Sequence, residues 1–167
     1  MEDLYSKILR EVLNEYGFAD ISPEQFKKAY ISKINEKRGD LITKGEKSDH
    51  FHFLLNEEVK KENYGVPNKC ETNTFNYIKD KLEDGKNNFF PVGGFGFDGP
   101  NLWPVEHWWV YDKSNDKFIE VTPLQGDPFR CYAGVINFDI NEEIKEAEHF
   151  YDVDFFKGGH VQHTYFK

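Results

Sequence analysis

Sulfur is scarce in this chain. Of its 167 residues two are cysteine and one is methionine, which excludes a disulfide framework as the source of stability. A chain of this length buries roughly 70% of the surface its unfolded form exposes, enough for a core of its own. Long apolar runs are missing too. No stretch approaches the ~18 residues that a bilayer span requires, so a membrane partner is excluded by this reading. The opening Met1-Glu2-Asp3-Leu4-Tyr5 lacks the basic and apolar regions of a secretory signal, and a cytoplasmic, reduced setting is expected. Positive charge is in deficit, with 21 Lys and Arg against 30 Asp and Glu and a net charge of -9. Such a surface repels phosphates, so nucleic acid is not an expected partner. Repeats, low-complexity segments and linkers are absent, and one domain over residues 1–167 is expected. It divides into a helical portion at 1–63, a core at 64–124, and strands with a short helix at 125–167.

What the chain has in quantity is aromatic carbon: 16 Phe, 9 Tyr and 3 Trp. These rings carry the core in place of the usual aliphatics. Residues 2 to about 17 place Leu4, Ile8, Val12, Leu13 and Tyr16 on one helical face, with Gly17 as a stop. Ser22-Pro23-Glu24-Gln25 combines an N-cap, proline at the first helical position and a capping-box glutamine, predicting a helix to about Glu36 with Phe26, Ala29, Tyr30 and Ile34 on its apolar face. Loops around a short Leu41-Ile42 element are expected next, and 50–64 reads equally as strand or helix. Tyr64 to Asn68 is a turn, punctuated by Gly65 and Pro67. A helix then runs from Cys70 to before Gly85. Beyond it come strands and turns: Asn88 to Val92, His107 to Tyr111 paired with Lys117 to Thr122, and Arg130 to Phe138. A short helix from Asn141 to about His149 and a last strand or tail over 152–167 follow. Helices first and strands afterwards predict an α+β fold.

The chemistry centres on Cys70. A thiol attacks only as thiolate, and a helix N-terminus and a neighbouring imidazole both favour that form. If the turn between the two hairpin strands is centred at Ser114 and Asn115, Thr122 lies opposite His107, and Glu120 is diagonal to it on the same sheet face. Slipping the register by one residue would send Glu120 to the other face. In this arrangement Cys70 is the nucleophile, His107 takes and returns its proton, and Glu120 holds the ring's tautomer. Backbone amides around Cys70 and Glu71 face a developing oxyanion, with Asn68 or Tyr64 as a side-chain donor. Trp103, Trp108 and Trp109 read as core and pocket lining. Trp108 and Trp109 must point to opposite faces of a regular strand, and the outward one is positioned to wall a substrate groove.

Cys70 at a helix start, Glu106-His107-Trp108-Trp109-Val110-Tyr111-Asp112 on one strand and Phe118-Ile119-Glu120-Val121-Thr122-Pro123 on the next resemble the core of the transglutaminase-like branch of the papain-like cysteine enzymes. The resemblance covers residues 64–124. It implies a cysteine-bearing helix packed on an antiparallel β-sheet, no cofactor, and hydrolysis or transfer of an acyl group through a thioester, with a peptide, protein or small amide or ester as substrate. The chain departs from that family in having Glu120 where Asp is usual, and Lys69 and Glu71 flanking the cysteine. Glu71 is awkward there, since a neighbouring anion raises a thiol pKa. The departures motivate a second reading, a non-catalytic peptide- or protein-binding module of the same fold, in which the thiol is sealed and dry.

Other patterns carry less. Gly94-Phe95-Gly96-Phe97-Asp98-Gly99 spells a dinucleotide-loop pattern, but Pro100 follows and no helix starts there to hold a phosphate. Its glycines read as a flexible loop, either a lid or a wide hairpin turn. His50 with His52, and His160 with His163, lack a third ligand at metal spacing, so no metal site is expected. Cys131 in an apolar strand is read as inert, Arg38-Gly39-Asp40 as a coincidence, and 141–146 as a solvated helix face.

Overall fold

The structure, a computed structural model, describes residues 4–16, 22–43, 51–99, 102–124 and 126–155. It is α+β. Helices α1 (Leu4–Tyr16) and α2 (Pro23–Thr43) precede strands β1 (Phe51–Leu55) and β2 (Val59–Lys61). Helix α3 (Cys70–Glu83) follows, then β3 (Phe89–Asp98), β4 (Trp103–Asp112), β5 (Lys117–Glu120), β6 (Cys131–Ile136) and α4 (Asn141–Glu146). The strands form one sheet in the order β1-β6-β3-β4-β5-β2. Every neighbouring pair is antiparallel except β2 with β5, which corrects the expectation of a wholly antiparallel sheet.

One short connection decides the shape of that sheet. Strands β1 and β2 occupy its two edges, yet only Asn56–Glu58, a single turn of 3₁₀ helix, joins them. In a flat sheet of this width the edges would lie roughly 24 Å apart. The connection spans at most about 14 Å. The sheet is therefore curled until its edges approach, and Leu54 of β1 and Val59 of β2 share one apolar cluster inside the curl with Trp109, Phe118, Phe129 and Tyr132.

The outer face is covered by helices. Ile8, Leu9 and Val12 of α1 and Phe26, Tyr30 and Ile34 of α2 pack on Phe53, Phe95, Phe97 and Val135. Phe75 and Ile78 of α3 and Ile144 of α4 pack on Trp108, Val110 and Ile119. Each such fully buried side chain contributes about 2 kcal/mol. The capping box of α2 forms as predicted: Gln25 N donates to Ser22 Oγ at 3.2 Å and Ser22 N to Gln25 Oε1 at 2.9 Å.

Several boundaries differ from the sequence reading. Helix α2 continues past Glu36 to Thr43 and absorbs the expected Leu41-Ile42 element, since one internal glycine costs only about 1 kcal/mol. Residues 51–61, ambiguous in sequence, are two strands. The glycine-rich stretch is neither lid nor turn but the interior of β3, one of the two central strands. Glycine there serves close approach: a Cβ on Gly96 would meet the Phe129 ring at 2.6 Å, and one on Gly94 would strike the Ala133 carbonyl of β6. After α4 comes a 3₁₀ turn, Phe150–Asp152, and the strand or tail expected over 152–167 lies mostly outside the described residues, which end at 155. The side chains of Leu4, Leu13 and Tyr16, the Gly17 stop, and His50, His160 and His163 lie outside the described residues. Among the described residues no helix is long and apolar enough to cross a membrane.

Candidate active site

Helix α3 begins at Cys70 because the chain ahead of it is pinned. Residues 62–65 run beside the end of β5, with Glu62 N donating to Glu120 O at 2.9 Å and Gly65 N to Val121 O at 3.0 Å. Asn68 then turns the chain with φ 64°, a left-handed conformation that asparagine tolerates better than most residues. Asn73, one turn into the helix and buried, ties these pieces together. Its side-chain amide donates to Val66 O at 2.8 Å and to Thr122 Oγ1 at 2.9 Å, and its Oδ1 accepts from Val66 N at 3.2 Å. Gly65 passes so close that any Cβ would collide with the Asn73 amide group.

The hairpin carrying the other two groups has the register expected from its turn: Val110 pairs with Ile119, Tyr111 with Phe118, and Asp112 with Lys117. Asp112 holds the turn, its carboxylate accepting from Ser114 N, Asn115 Nδ2 and Asn88 Nδ2. His107, Trp109 and Glu120 therefore point to the inner face of the curl, while Trp108 and Val110 point to the helices.

His107 stands between acid and thiol. Its Nε2 lies 2.6 Å from Glu120 Oε1. An ionised carboxylate only accepts, so Nε2 carries the proton in this bond. Nδ1 is left as the ring's acceptor, and the Cys70 thiol lines the same cavity as the ring. Both members of the acid pair are buried, His107 at 5% and Glu120 at 2% exposure, while Cys70 is half-buried. Burial alone would lower the His107 pKa. The hydrogen bonds to Cys70 and Glu120, with their negative charge, outweigh it and raise the value to about 9. Glu120 accepts two further bonds: Tyr132 Oη donates to Oε1 at 3.0 Å and Thr122 N to Oε2 at 3.3 Å. The imidazole is boxed by rings, with Phe129 edge-on at 4.9 Å and Trp109 at 6.1 Å between centroids.

Cys70 and His107 open into one cavity of about 340 Å³. Asn68 and Phe129 line it, as do Thr122, Pro123 and Leu124, and its other ionisable groups are all acidic: Asp98, Glu106 and Asp127. Glu71, half-buried beside Glu106, has its pKa raised by burial first and by the Glu106 charge second.

Of the residues expected at the site, the fold brings Cys70, His107, Glu120 and Asn68 to one cavity or its immediate wall. The two tryptophans are corrected. Trp108 is 2% exposed and packs edge-on against Phe155 on the helix side, and Trp109 is fully buried among Tyr132 and Val92. Neither walls a groove, because the helices seal one sheet face and the curl seals the other. Glu71 does not line the cavity, and Tyr64 turns away to donate its hydroxyl to Asp80. Sequence reasoning missed Tyr132, Asn73 and Thr122. Asparagine three residues after the cysteine, in a helix interior where it is a poor helix former, is the one signal that could have drawn attention. Among the described residues no group of three His, Cys, Asp or Glu is placed to hold a metal. His52 packs against Phe118 at 4.7 Å and Tyr111 at 5.9 Å between centroids. Compared with known proteins, the chain matches no family model, no curated protein and no solved structure.

Proposed function

We propose that this protein is a thiol enzyme of the transglutaminase-like, papain-like kind, which cleaves or transfers an acyl group from an amide or ester through a thioester at Cys70. The observation that carries the reading is the His107 ring, hydrogen-bonded to Glu120 and lining one open cavity with the Cys70 thiol. His107 accepts the Cys70 proton, and the resulting imidazolium is stabilised by Glu120. The thiolate sulfur attacks the carbonyl carbon. The oxyanion that forms is held by amides of the first turn of α3, which have no acceptor one turn back. Collapse of that intermediate breaks the bond to the leaving group, which takes the proton from His107. Water or an amine, deprotonated by His107, then attacks the thioester and frees the sulfur.

The binding-module reading expects a sealed thiol without a partner. A half-buried thiol that shares an open cavity with a histidine supports the enzyme reading over it. Iodoacetamide near neutral pH is expected to label Cys70 well before Cys131, which is fully buried with its pKa pushed up to about 12 by burial. Labelling of Cys70 should slow about tenfold or more in His107→Ala. A panel of amide and ester acyl donors, followed by mass spectrometry, should leave an acyl adduct on Cys70. Equal, histidine-independent labelling of both thiols would overturn the proposal.

A further inference from the structure

We propose that Tyr132 is a positioning residue of this site: its hydroxyl, carried on β6, holds Glu120 Oε1 and shares its negative charge, so that the proton between carboxylate and ring stays on His107. The inference rests on the enzyme reading above and deepens it. Tyr132 and Glu120 are not neighbours in the sheet. Strands β3 and β4 lie between theirs, a separation of roughly 14 Å along a flat sheet. Only the curl lets the hydroxyl reach the carboxylate, at 3.0 Å. The residue opposite Tyr132 on β3 is Gly96, and the next pair on the same face is Gly94 with Gly134.

The bond falls on the oxygen that matters. Glu120 Oε1 accepts from both His107 Nε2 and Tyr132 Oη, while Oε2 accepts from the Thr122 amide. A carboxylate buried to this depth with the imidazole as its only donor would tend to take the proton and leave both partners neutral. A neutral imidazole does not stabilise a thiolate. Two further donors disperse the charge and keep Glu120 an anion, which keeps His107 an imidazolium and Cys70 a nucleophile. Tyr132 is suited to this because it is fully buried, and burial followed by the Glu120 charge raises its pKa, so it donates without ionising.

The other charged group facing Glu120 is Lys61, its register partner on β2. Burial lowers the Lys61 pKa, while Glu120 and then Glu57 raise it, and its ammonium stands 5.9 Å over the Tyr132 ring. Lys61 as a whole is exposed, with its ammonium donating to Val59 O at 2.8 Å in a partly buried position, so salt weakens its influence more than that of a fully buried hydroxyl.

The experiment is the pH dependence of Cys70 alkylation by iodoacetamide in the full chain, in wild type, Tyr132→Phe, Glu120→Gln and the double variant, repeated at about 1 M salt, where screening acts within roughly 3 Å. Wild type should react along an acid limb lying below the ordinary thiol range. In Tyr132→Phe that limb should move up by about one pH unit, the worth of one hydrogen bond to a charged group, with the high-pH plateau and the circular dichroism unchanged and the shift surviving salt. Adding Tyr132→Phe to Glu120→Gln should move it no further. A limb that coincides with wild type in folded Tyr132→Phe, or a shift that adds in the double variant, overturns the role of Tyr132 while leaving the enzyme reading intact. A wild-type limb in the ordinary thiol range overturns the enzyme reading itself. If Tyr132→Phe fails to fold, the side-chain carboxyl carbon of Glu120 in wild type decides by NMR: a carboxylate shift throughout the limb supports the proposal, and a carboxylic acid shift sinks it.

Discussion

Asn73 is the side chain on which the position of the thiol depends. Its three hydrogen bonds join the first turn of α3 to the turn before it and to the residue two past Glu120. Asn73→Ala strands both Val66 backbone groups and the Thr122 hydroxyl in a partly or wholly buried setting. A loss of about 3 kcal/mol is expected, read as a lower urea midpoint at unchanged slope, together with slower alkylation of Cys70. A stability within a few tenths of wild type would show that the clamp is not needed. Cys70, His107 and Glu120 were legible in the sequence because their placement is local: a helix start, and strand parity counted from a nearby turn. Asn73 and Tyr132 were not. Asn73 bonds to Thr122, 49 residues on, and Tyr132 reaches Glu120 across two intervening strands, while a tyrosine in an apolar strand reads only as core.

Strand β3 shows how far local pattern can mislead at the scale of an element. Its glycines read as a loop because glycine is a poor strand former. The tertiary structure uses them because neighbouring strands and rings come too close for any side chain. Gly134 on β6 is the companion case: a Cβ there would lie 2.7 Å from the Trp109 ring and 2.9 Å from Val92. Gly134→Ala is therefore expected to lose about 1–3 kcal/mol through overpacking, seen as a lower melting temperature with altered tryptophan fluorescence. A neutral or stabilising result would mean that the ring and its strand yield freely. Helix α2 is a milder instance. Its start was readable from the capping box, but its end was not, since a helix passes one internal glycine when its flanks are helical.

The whole molecule carries a net charge of -9, and the cavity repeats that sign in Asp98, Glu106 and Asp127. An anionic reagent entering it meets repulsion that only the His107 imidazolium opposes. Iodoacetate should therefore lose more rate against iodoacetamide at Cys70 than it does with the unfolded chain, and salt should narrow the gap. An iodoacetate preference that salt abolishes would mean that the imidazolium dominates the field and the acidic wall is ineffective.

Composition and periodicity by themselves determined an α+β chain with an aromatic core, the start of each of the first three helices to within about two residues, and the hairpin register that puts His107 and Glu120 on one face. These follow from interactions among residues close in sequence, which the chain order states directly. The curl of the sheet, the burial of both central tryptophans, the acidic cavity and the Tyr132 bond to Glu120 were decided only by the tertiary structure. Each depends on which strands become neighbours and how sharply the sheet bends, and that is set by a three-residue connection between its edges.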